Sequence, residues 1–134
     1  MIRTMLDTNI CIDIIRGKMP FLLARLNRLD PDEVALSSIV FAELQAGVCK
    51  SSNPARNLEK LTDFCAPIGI LPFDSIAAEY YGVLRTQLER SGTPIGPMDL
   101  LIAAHALACD ATLVTSNAGE FGRIPALRLE NWVA

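Results

Sequence analysis

Three acidic residues far apart in the chain are the strongest candidates for chemistry: Asp7, Glu43 and Asp99. Asp7 directly follows a short apolar run, and Glu43 and Asp99 each lie near the start of a predicted helix. Carboxylates that lie close together repel one another, so they cannot all remain ionised without a cation between them. A site made only of oxygen ligands suits Mg²⁺ or Mn²⁺ best. We therefore expect these residues to bind a divalent metal ion if the fold brings them together.

Each of the three acids also has a purely structural explanation. Asp7 could cap the helix that follows it, and Asp99 in a first helical turn is favoured by the helix dipole by about 0.3–1 kcal/mol. Glu43 has mostly apolar neighbours, among which an unpaired carboxylate would be costly, although a solvent-facing stripe would also explain it. Function is favoured only if all three converge on one edge of the fold.

Short β-type runs alternate with longer helical patterns, which is typical of βαβ units. The sequence therefore predicts one α/β domain over residues 1–134, with a mainly parallel central sheet of four to five strands flanked by helices. The predicted strands are Thr4–Leu6, Val34–Ser37, Ile68–Leu71, Thr112–Thr115 and, as a short fifth, Leu127–Glu130. The predicted helices run from a cap at Thr8 or Asn9 to Gly17, over Pro20–Leu29, over Val40–Cys49, through Leu58–Cys65, from Ser75 to Gly92, and over Met98–Ala108.

One predicted helix carries a regular apolar pattern. From Ser75 onward, apolar residues recur every four positions, which predicts a single stripe that faces the core. The residues of this stripe are Ile76, Tyr80, Leu84 and Leu88.

The predicted topology gives the acids a common place. Parallel α/β sheets bind their ligands at the carboxyl ends of the strands. Asp7 ends the first strand, Ser116 and Asn117 follow the fourth, and the helices of Glu43 and Asp99 begin at the same edge. The three carboxylates are therefore predicted to converge there, beside Ser116 and Asn117.

The net charge of −3 argues against nucleic-acid binding through a uniformly basic surface. Global charge is a poor guide, however, where acids surround a divalent cation, because the metal reverses the sign of the local field that a phosphate meets. The positions of the acids therefore say more about nucleic-acid binding than the net charge does.

The other reactive side chains receive structural interpretations. His105, the only histidine, lies six residues after Asp99, which turns it away from that carboxylate, so it is predicted to pack or to form a hydrogen bond. The four cysteines lack zinc-ligand spacing and are predicted to be buried small side chains in a reducing cytoplasm. No apolar run approaches the ~20 residues of a membrane-spanning helix. Asp7 comes too early for a secretory signal, so a cytoplasmic location is expected.

Taken together, these segments resemble the PIN-domain ribonucleases, and in particular the VapC toxins, over the full length of the chain. The segments that carry the resemblance are Met5-Leu6-Asp7-Thr8-Asn9, Ser37-Ser38 to Glu43 with Leu44 and Gly47, Gly96-Pro97-Met98-Asp99 with Ile102-Ala103, and Val114-Thr115-Ser116-Asn117 with Glu120-Phe121.

The resemblance implies a Mg²⁺- or Mn²⁺-dependent endoribonuclease that hydrolyses RNA and inhibits growth as the toxin of a toxin–antitoxin pair. Asp7, Glu43 and Asp99 would hold the metal, and Glu43 would ligate it or orient the attacking water. Asn117, with Thr8 and Ser116, would position a water or the phosphate. The resemblance further implies a VapB-type antitoxin as partner, a homodimer, and RNA, with tRNA as one candidate, as substrate.

The sequence departs from this family at one position. Many relatives carry Asp where this chain has Asn117, which puts a four-carboxylate site and a second metal in question; Glu120 is the nearest acid that could compensate. A catalytically inactive PIN-fold binding module is therefore the first alternative.

The second alternative is a receiver-type phosphoacceptor domain, with Asp74 after the third strand as acceptor. Receivers have an acidic pair after the first strand and a lysine after the last, whereas Asp7 is followed by Thr8-Asn9 and no lysine follows Lys60. A haloacid-dehalogenase-type phosphatase would need Asp in place of Asn9.

Overall fold

A five-stranded parallel sheet organises the computed structural model, which describes residues 1–133. The strands are β1 (Thr4–Leu6), β2 (Val34–Ser37), β3 (Gly69–Leu71), β4 (Thr112–Val114) and β5 (Leu129–Glu130). The helices are α1 (Thr8–Arg16), α2 (Pro20–Leu26), α3 (Ser38–Lys50), α4 (Pro54–Cys65), α5 (Ser75–Arg90), α6 (Pro97–Ala108) and α7 (Ala118–Phe121), with a 3₁₀ turn at Pro31–Glu33. The predicted fold class is confirmed. The predicted C-terminal limit of the domain, Ala134, lies outside the described residues.

The strands follow the order β3-β2-β1-β4-β5, and every neighbouring pair is parallel. β1 and β2 are covered on both faces, as expected for central parallel strands. Leu6 in β1, Leu36 in β2 and Leu113 in β4 are fully buried. Trp132 closes the end of the core near β5, with the Arg25 guanidinium 5.3 Å from its ring centre. β1 therefore lies at the centre of the molecule.

This strand order excludes the receiver alternative, because receivers have the order 2-1-3-4-5. Here β3 is an edge strand, and β2 separates it from β1. Asp74 has a local role instead: its carboxylate accepts a hydrogen bond from the backbone N–H of Ala77 (2.9 Å) and caps α5.

Several helix ends differ from the prediction: α3 ends at Lys50, α4 begins at Pro54 and α6 begins at Pro97. α1 is capped by Asp7, before the predicted cap at Thr8 or Asn9, and α3 is capped by Ser37 and begins two residues before the predicted Val40. Asp7 and Ser37 still have extended backbone angles and accept the first free N–H groups of these helices. α2 ends at Leu26 and not at Leu29, because the N–H groups of Arg28 and Leu29 bond three residues back, in 3₁₀ fashion.

The predicted apolar stripe on α5 is half wrong. Leu84 and Leu88 are buried, but Ile76 and Tyr80 are 54% and 44% exposed. A four-residue spacing drifts about 40° around a helix at each step, so the four residues spread over about 120°, and the first two fall outside the narrower face that is buried here. The buried face follows the helical period and contains Ala77 with Leu84 and Leu88.

The cysteines also depart in part from the expectation. Cys11 is buried, but Cys49 is exposed, and Cys65 and Cys109 are partly exposed. Cys49 is exposed because it lies in the last turn of α3, on the face of that helix on which Ala42 and Ala46 are exposed too. Within residues 1–133, no helix is both long enough and apolar enough to cross a membrane.

Candidate functional site

The order of the strands reverses between β1 and β4, which opens a crevice at their carboxyl ends, where α/β sheets bind ligands. Asp7 follows β1 and is only 3% exposed. Its Oδ1 accepts a hydrogen bond from the backbone N–H of Thr8 (2.8 Å), and its Oδ2 accepts one from the Thr115 hydroxyl (2.7 Å). Asp7 is thus a helix cap and a buried carboxylate at the crevice at once.

Burial raises the pKa of Asp7, the hydrogen bonds from Thr115 and Thr8 oppose that rise, and the charge of Glu43 adds to it. Glu43 is half-buried on α3 and accepts a 2.6 Å hydrogen bond from the Thr8 hydroxyl at its Oε1. Glu43 therefore faces the crevice, and its hydrogen bond joins the start of α1 to α3.

Asp99 lies in the first turn of α6 and is also partly buried. Its pKa is raised to about 7, first by burial, then by a hydrogen bond shared with Glu120, and then by the charges of Asp7, Glu120 and Glu43. The structure thus places the three predicted acids within electrostatic reach of one another and adds Glu120 to them.

Asn117 lies between Asp99 and Glu120. Its side-chain amide donates to Asp99 Oδ2 (3.3 Å) and Glu120 Oε2 (3.1 Å), and its backbone N–H bonds to the Thr115 hydroxyl (3.0 Å). An amide donor at this position holds two carboxylates side by side, whereas an aspartate would repel them. Ser116, the other polar residue predicted after β4, is exposed.

The sequence indicates Glu120 only as the nearest acid that could compensate for Asn117. Its Oε1 accepts a 2.8 Å hydrogen bond from the backbone N–H of Gly96, just before α6. The hydrogen bond with Asp99, and then that from Gly96, lower the pKa of Glu120. The signal in the sequence is its position three residues after Asn117, the spacing at which an acid in a first helical turn reaches back toward the cap.

Positive charge is scarce around these acids. None of the ion pairs found within residues 1–133 involves Asp7, Glu43 or Asp99. Arg123, which donates to the carbonyl of Pro94 (2.7 Å), is the cation that acts on Glu120. Among the described residues, the mutual repulsion of Asp7, Glu43 and Asp99 is therefore not relieved by an ion pair.

The donor set fits a divalent cation, because it consists of carboxylate and amide oxygens with excess negative charge. Within residues 1–133, however, no three Asp, Glu, His or Cys side chains form a preassembled metal-binding group. Thr8, Thr115 and Asn117 instead hold the carboxylates through hydrogen bonds. The cation would therefore have to draw the acids together on binding.

His105 lies outside this group of acids, as the sequence predicts. It is buried, and its Nδ1 is 2.7 Å from the Ser37 hydroxyl. Burial lowers the pKa of its imidazole, and the charge of Asp74 opposes that shift.

Comparisons with known proteins show what this chain is similar to. A family profile described as the PIN domain matches residues 4–127. The chain is 50% identical over 129 residues to Ribonuclease VapC2 of Rickettsia felis, covering 96% of each chain. It is 42% identical over 132 residues to the tRNA(fMet)-specific endonuclease VapC of Salmonella typhimurium, covering 98% of this chain and 99% of that protein. It also resembles a chain in the crystal structure of VapBC2 from Rickettsia felis bound to a promoter DNA fragment, with a TM-score of 0.92 and 47% identity over 98% of this chain and 99% of that chain.

Proposed function

The chain belongs to the PIN-domain family and to its VapC group, and on that premise we propose that it is a divalent-metal-dependent endoribonuclease, the toxin of a toxin–antitoxin pair. The observation that carries the proposal is the group of four acids at the β1/β4 crevice. Within residues 1–133, none of the ion pairs found involves Asp7, Glu43 or Asp99, and burial together with the neighbouring acids raises the pKa of Asp99 to about 7. We further propose that a single PIN domain spans residues 1–134.

We assign roles to these residues from their contacts. Asp7 and Asp99 are the principal metal ligands, and Glu43 ligates the metal or orients the attacking water. Thr8 holds Glu43 through its hydroxyl, and Asn117 holds Asp99 and Glu120 together. Ser116 is exposed at the carboxyl end of β4, where it can contact the phosphate. A bound Mg²⁺ or Mn²⁺ would orient a water for in-line attack and would stabilise the charge that develops on the phosphate.

The substrate that we propose is RNA, with tRNA as the first class to test. The Salmonella typhimurium relative is named as a tRNA(fMet)-specific endonuclease. Arg123 is an exposed cation close enough to Glu120 to lower its pKa. It is therefore placed to meet a phosphate of an RNA strand that enters the crevice. Cleavage of tRNA would inhibit growth by blocking translation.

The partner that we propose is a VapB-type antitoxin, because several of the similar structures are described as VapBC complexes. We also propose a homodimer and a cytoplasmic location. Light scattering of the purified chain tests the dimer, because a monomeric mass over the working concentration range would contradict it. Co-expression with the cognate antitoxin should restore growth that the chain alone arrests.

The test of the proposed activity is an RNA-cleavage assay with the chain freed of any copurified partner. Total cellular RNA is incubated with Mg²⁺ or Mn²⁺, with EDTA, and with the Asp7→Ala variant. We expect discrete cuts that need the metal and Asp7. Absence of cuts under every metal, from protein shown to be folded, would favour the inactive binding module instead.

Glu120→Gln should weaken Mn²⁺ binding and RNA cleavage by roughly 10- to 100-fold, the usual cost of losing a group that ligates a metal or supports its ligands. The reason is that Glu120 shares a hydrogen bond with Asp99 and anchors Gly96. Isothermal titration with Mn²⁺ and the cleavage rate measure the two effects. Glu59→Gln on the exposed side of α4 is the matched control and should change neither. If Glu120→Gln binds Mn²⁺ and cleaves RNA as wild type does, Glu120 is not part of the metal site.

A further inference from the structure

A buried hydrogen bond outside the group of acids links the helices that carry Glu43 and Asp99. His105 on α6 is 2% exposed and Ser37 is 1% exposed, and His105 Nδ1 lies 2.7 Å from Ser37 Oγ. Ser37 is also the N-cap of α3, where its Oγ accepts a hydrogen bond from the backbone N–H of Ile39 (3.1 Å). The contact therefore pins the first turn of α3 to α6.

A second contact secures the same junction. The ring of Phe73 meets the imidazole of His105 edge-on, with 5.5 Å between ring centres and an angle of 79°. The backbone N–H of Phe73 donates to the hydroxyl of Ser38, the first residue of α3 (3.0 Å). The segment between β3 and α5 thus closes over the His105–Ser37 pair and limits the ways in which the imidazole can turn.

This junction between α3 and α6 lies close to two of the acids along the chain. Glu43 follows Ser37 by six residues, which is less than two turns of α3, and Asp99 precedes His105 by six residues on α6. A helix is rigid over such a length, so a shift of its first turn moves the side chains of the next turn as well. A change in the His105–Ser37 contact would therefore move Glu43 relative to Asp99.

We propose that His105 is a positioning residue for Glu43: through Ser37 it holds the start of α3 against α6 and thereby sets the geometry in which Glu43 and Asp99 receive a divalent cation. This inference rests on the metal-dependent activity proposed above. The competing explanation is that His105 only fills the core. In that case its loss would lower stability without a specific effect on metal binding.

Four substitutions separate these explanations. His105→Leu keeps most of the volume but removes the hydrogen bond, and His105→Asn keeps an amide group near the position of Nδ1. Ser37→Ala removes the other partner, and Ser37→Thr retains its hydroxyl. Mn²⁺ binding is measured by the electron paramagnetic resonance signal of the free ion, thermal unfolding is measured in EDTA, and RNA cleavage is measured in parallel.

We expect His105→Leu and Ser37→Ala to raise the Mn²⁺ dissociation constant by about 10-fold or more, as for groups that orient metal ligands. His105→Asn and Ser37→Thr should stay near the wild-type value. In a Glu43→Gln background, His105→Leu should cause little further loss of Mn²⁺ affinity, although it lowers the melting temperature as before. If His105→Leu does not fold, the comparison of Ser37→Ala with Ser37→Thr decides the question.

Two results would overturn the inference. One is an unchanged Mn²⁺ affinity in folded His105→Leu and Ser37→Ala. The other is a loss of Mn²⁺ affinity on His105→Leu that is as large in the Glu43→Gln background as in the wild-type background. Failure of the proposed function shows up differently, as absence of RNA cleavage by the wild-type chain. The Mn²⁺ measurements do not depend on that result, so the two failures can be told apart.

Discussion

Asp99→Asn is expected to lower the rate of RNA cleavage by at least about 100-fold at saturating Mn²⁺, the scale of loss seen when one preorganised electrostatic group is removed from an active site. Asn keeps the size of the side chain and one oxygen but removes the charge that a divalent ligand site needs. The Asn117 amide, which donates to Asp99 Oδ2 in the wild type, retains an oxygen to bond to. The fold should therefore persist, and circular dichroism with a single-turnover cleavage assay would show both results.

Asp63→Asn is the matched control for this experiment. Asp63 is an exposed aspartate on α4 and takes no part in the group of acids, so its variant should cleave at the wild-type rate. Asp7→Ala is a less clean test, because both of its oxygens accept hydrogen bonds, and its loss would also leave Thr8 and Thr115 without their acceptor. Wild-type cleavage by Asp99→Asn would remove Asp99 from the catalytic site.

Asp99→Asn should also make the metal-free protein more stable than wild type, by an amount that depends on pH. The pKa of Asp99 is raised from 3.8 to about 7 by burial, by the hydrogen bond with Glu120 and by the surrounding acids. A carboxyl group with a raised pKa binds its proton more tightly in the folded state, so wild-type stability falls as the pH rises between these two values. The difference in melting temperature between the variant and wild type should therefore grow from about pH 4 to about pH 7 and remain constant above.

The measurement is thermal unfolding of both proteins in EDTA at several pH values. A difference of 1 kcal/mol would shift the melting temperature by roughly 3–6 °C in a domain of this size. Addition of Mn²⁺ at pH 8 should reverse the order, because a ligand that binds only the folded wild type stabilises it. A difference that is the same at every pH would show that the proton responsible is not on Asp99. In a Glu120→Gln background, the pH-dependent gain in stability from Asp99→Asn should be smaller, because the Glu120 carboxylate helps to raise the pKa of Asp99.

The positions of Asp7 and Asp99 could be predicted because the local sequence marks each of them. Asp7 follows an apolar strand, and Asp99 follows the Gly96-Pro97 start of a helix, so their approximate places in the chain are readable from short-range patterns. Glu120 was less visible, because its relevance depends on where α7 lies against the loop before α6. The paired contacts of Asn117 with Asp99 and Glu120 depend on the same placement.

Residues close together in the sequence determined the strands and the six longer helices to within a few residues, and they marked the three principal acids, because backbone propensity, capping and apolar period act over short stretches of chain. Only the tertiary structure decided the strand order, the outward turn of Ile76 and Tyr80, and the environment of each acid. The deciding hydrogen bonds span large sequence separations: 35 residues from Thr8 to Glu43, 68 from Ser37 to His105, and 108 from Asp7 to Thr115. Burial and repulsion between such distant groups shift the pKa of a carboxylate, and they exist only once the chain has folded.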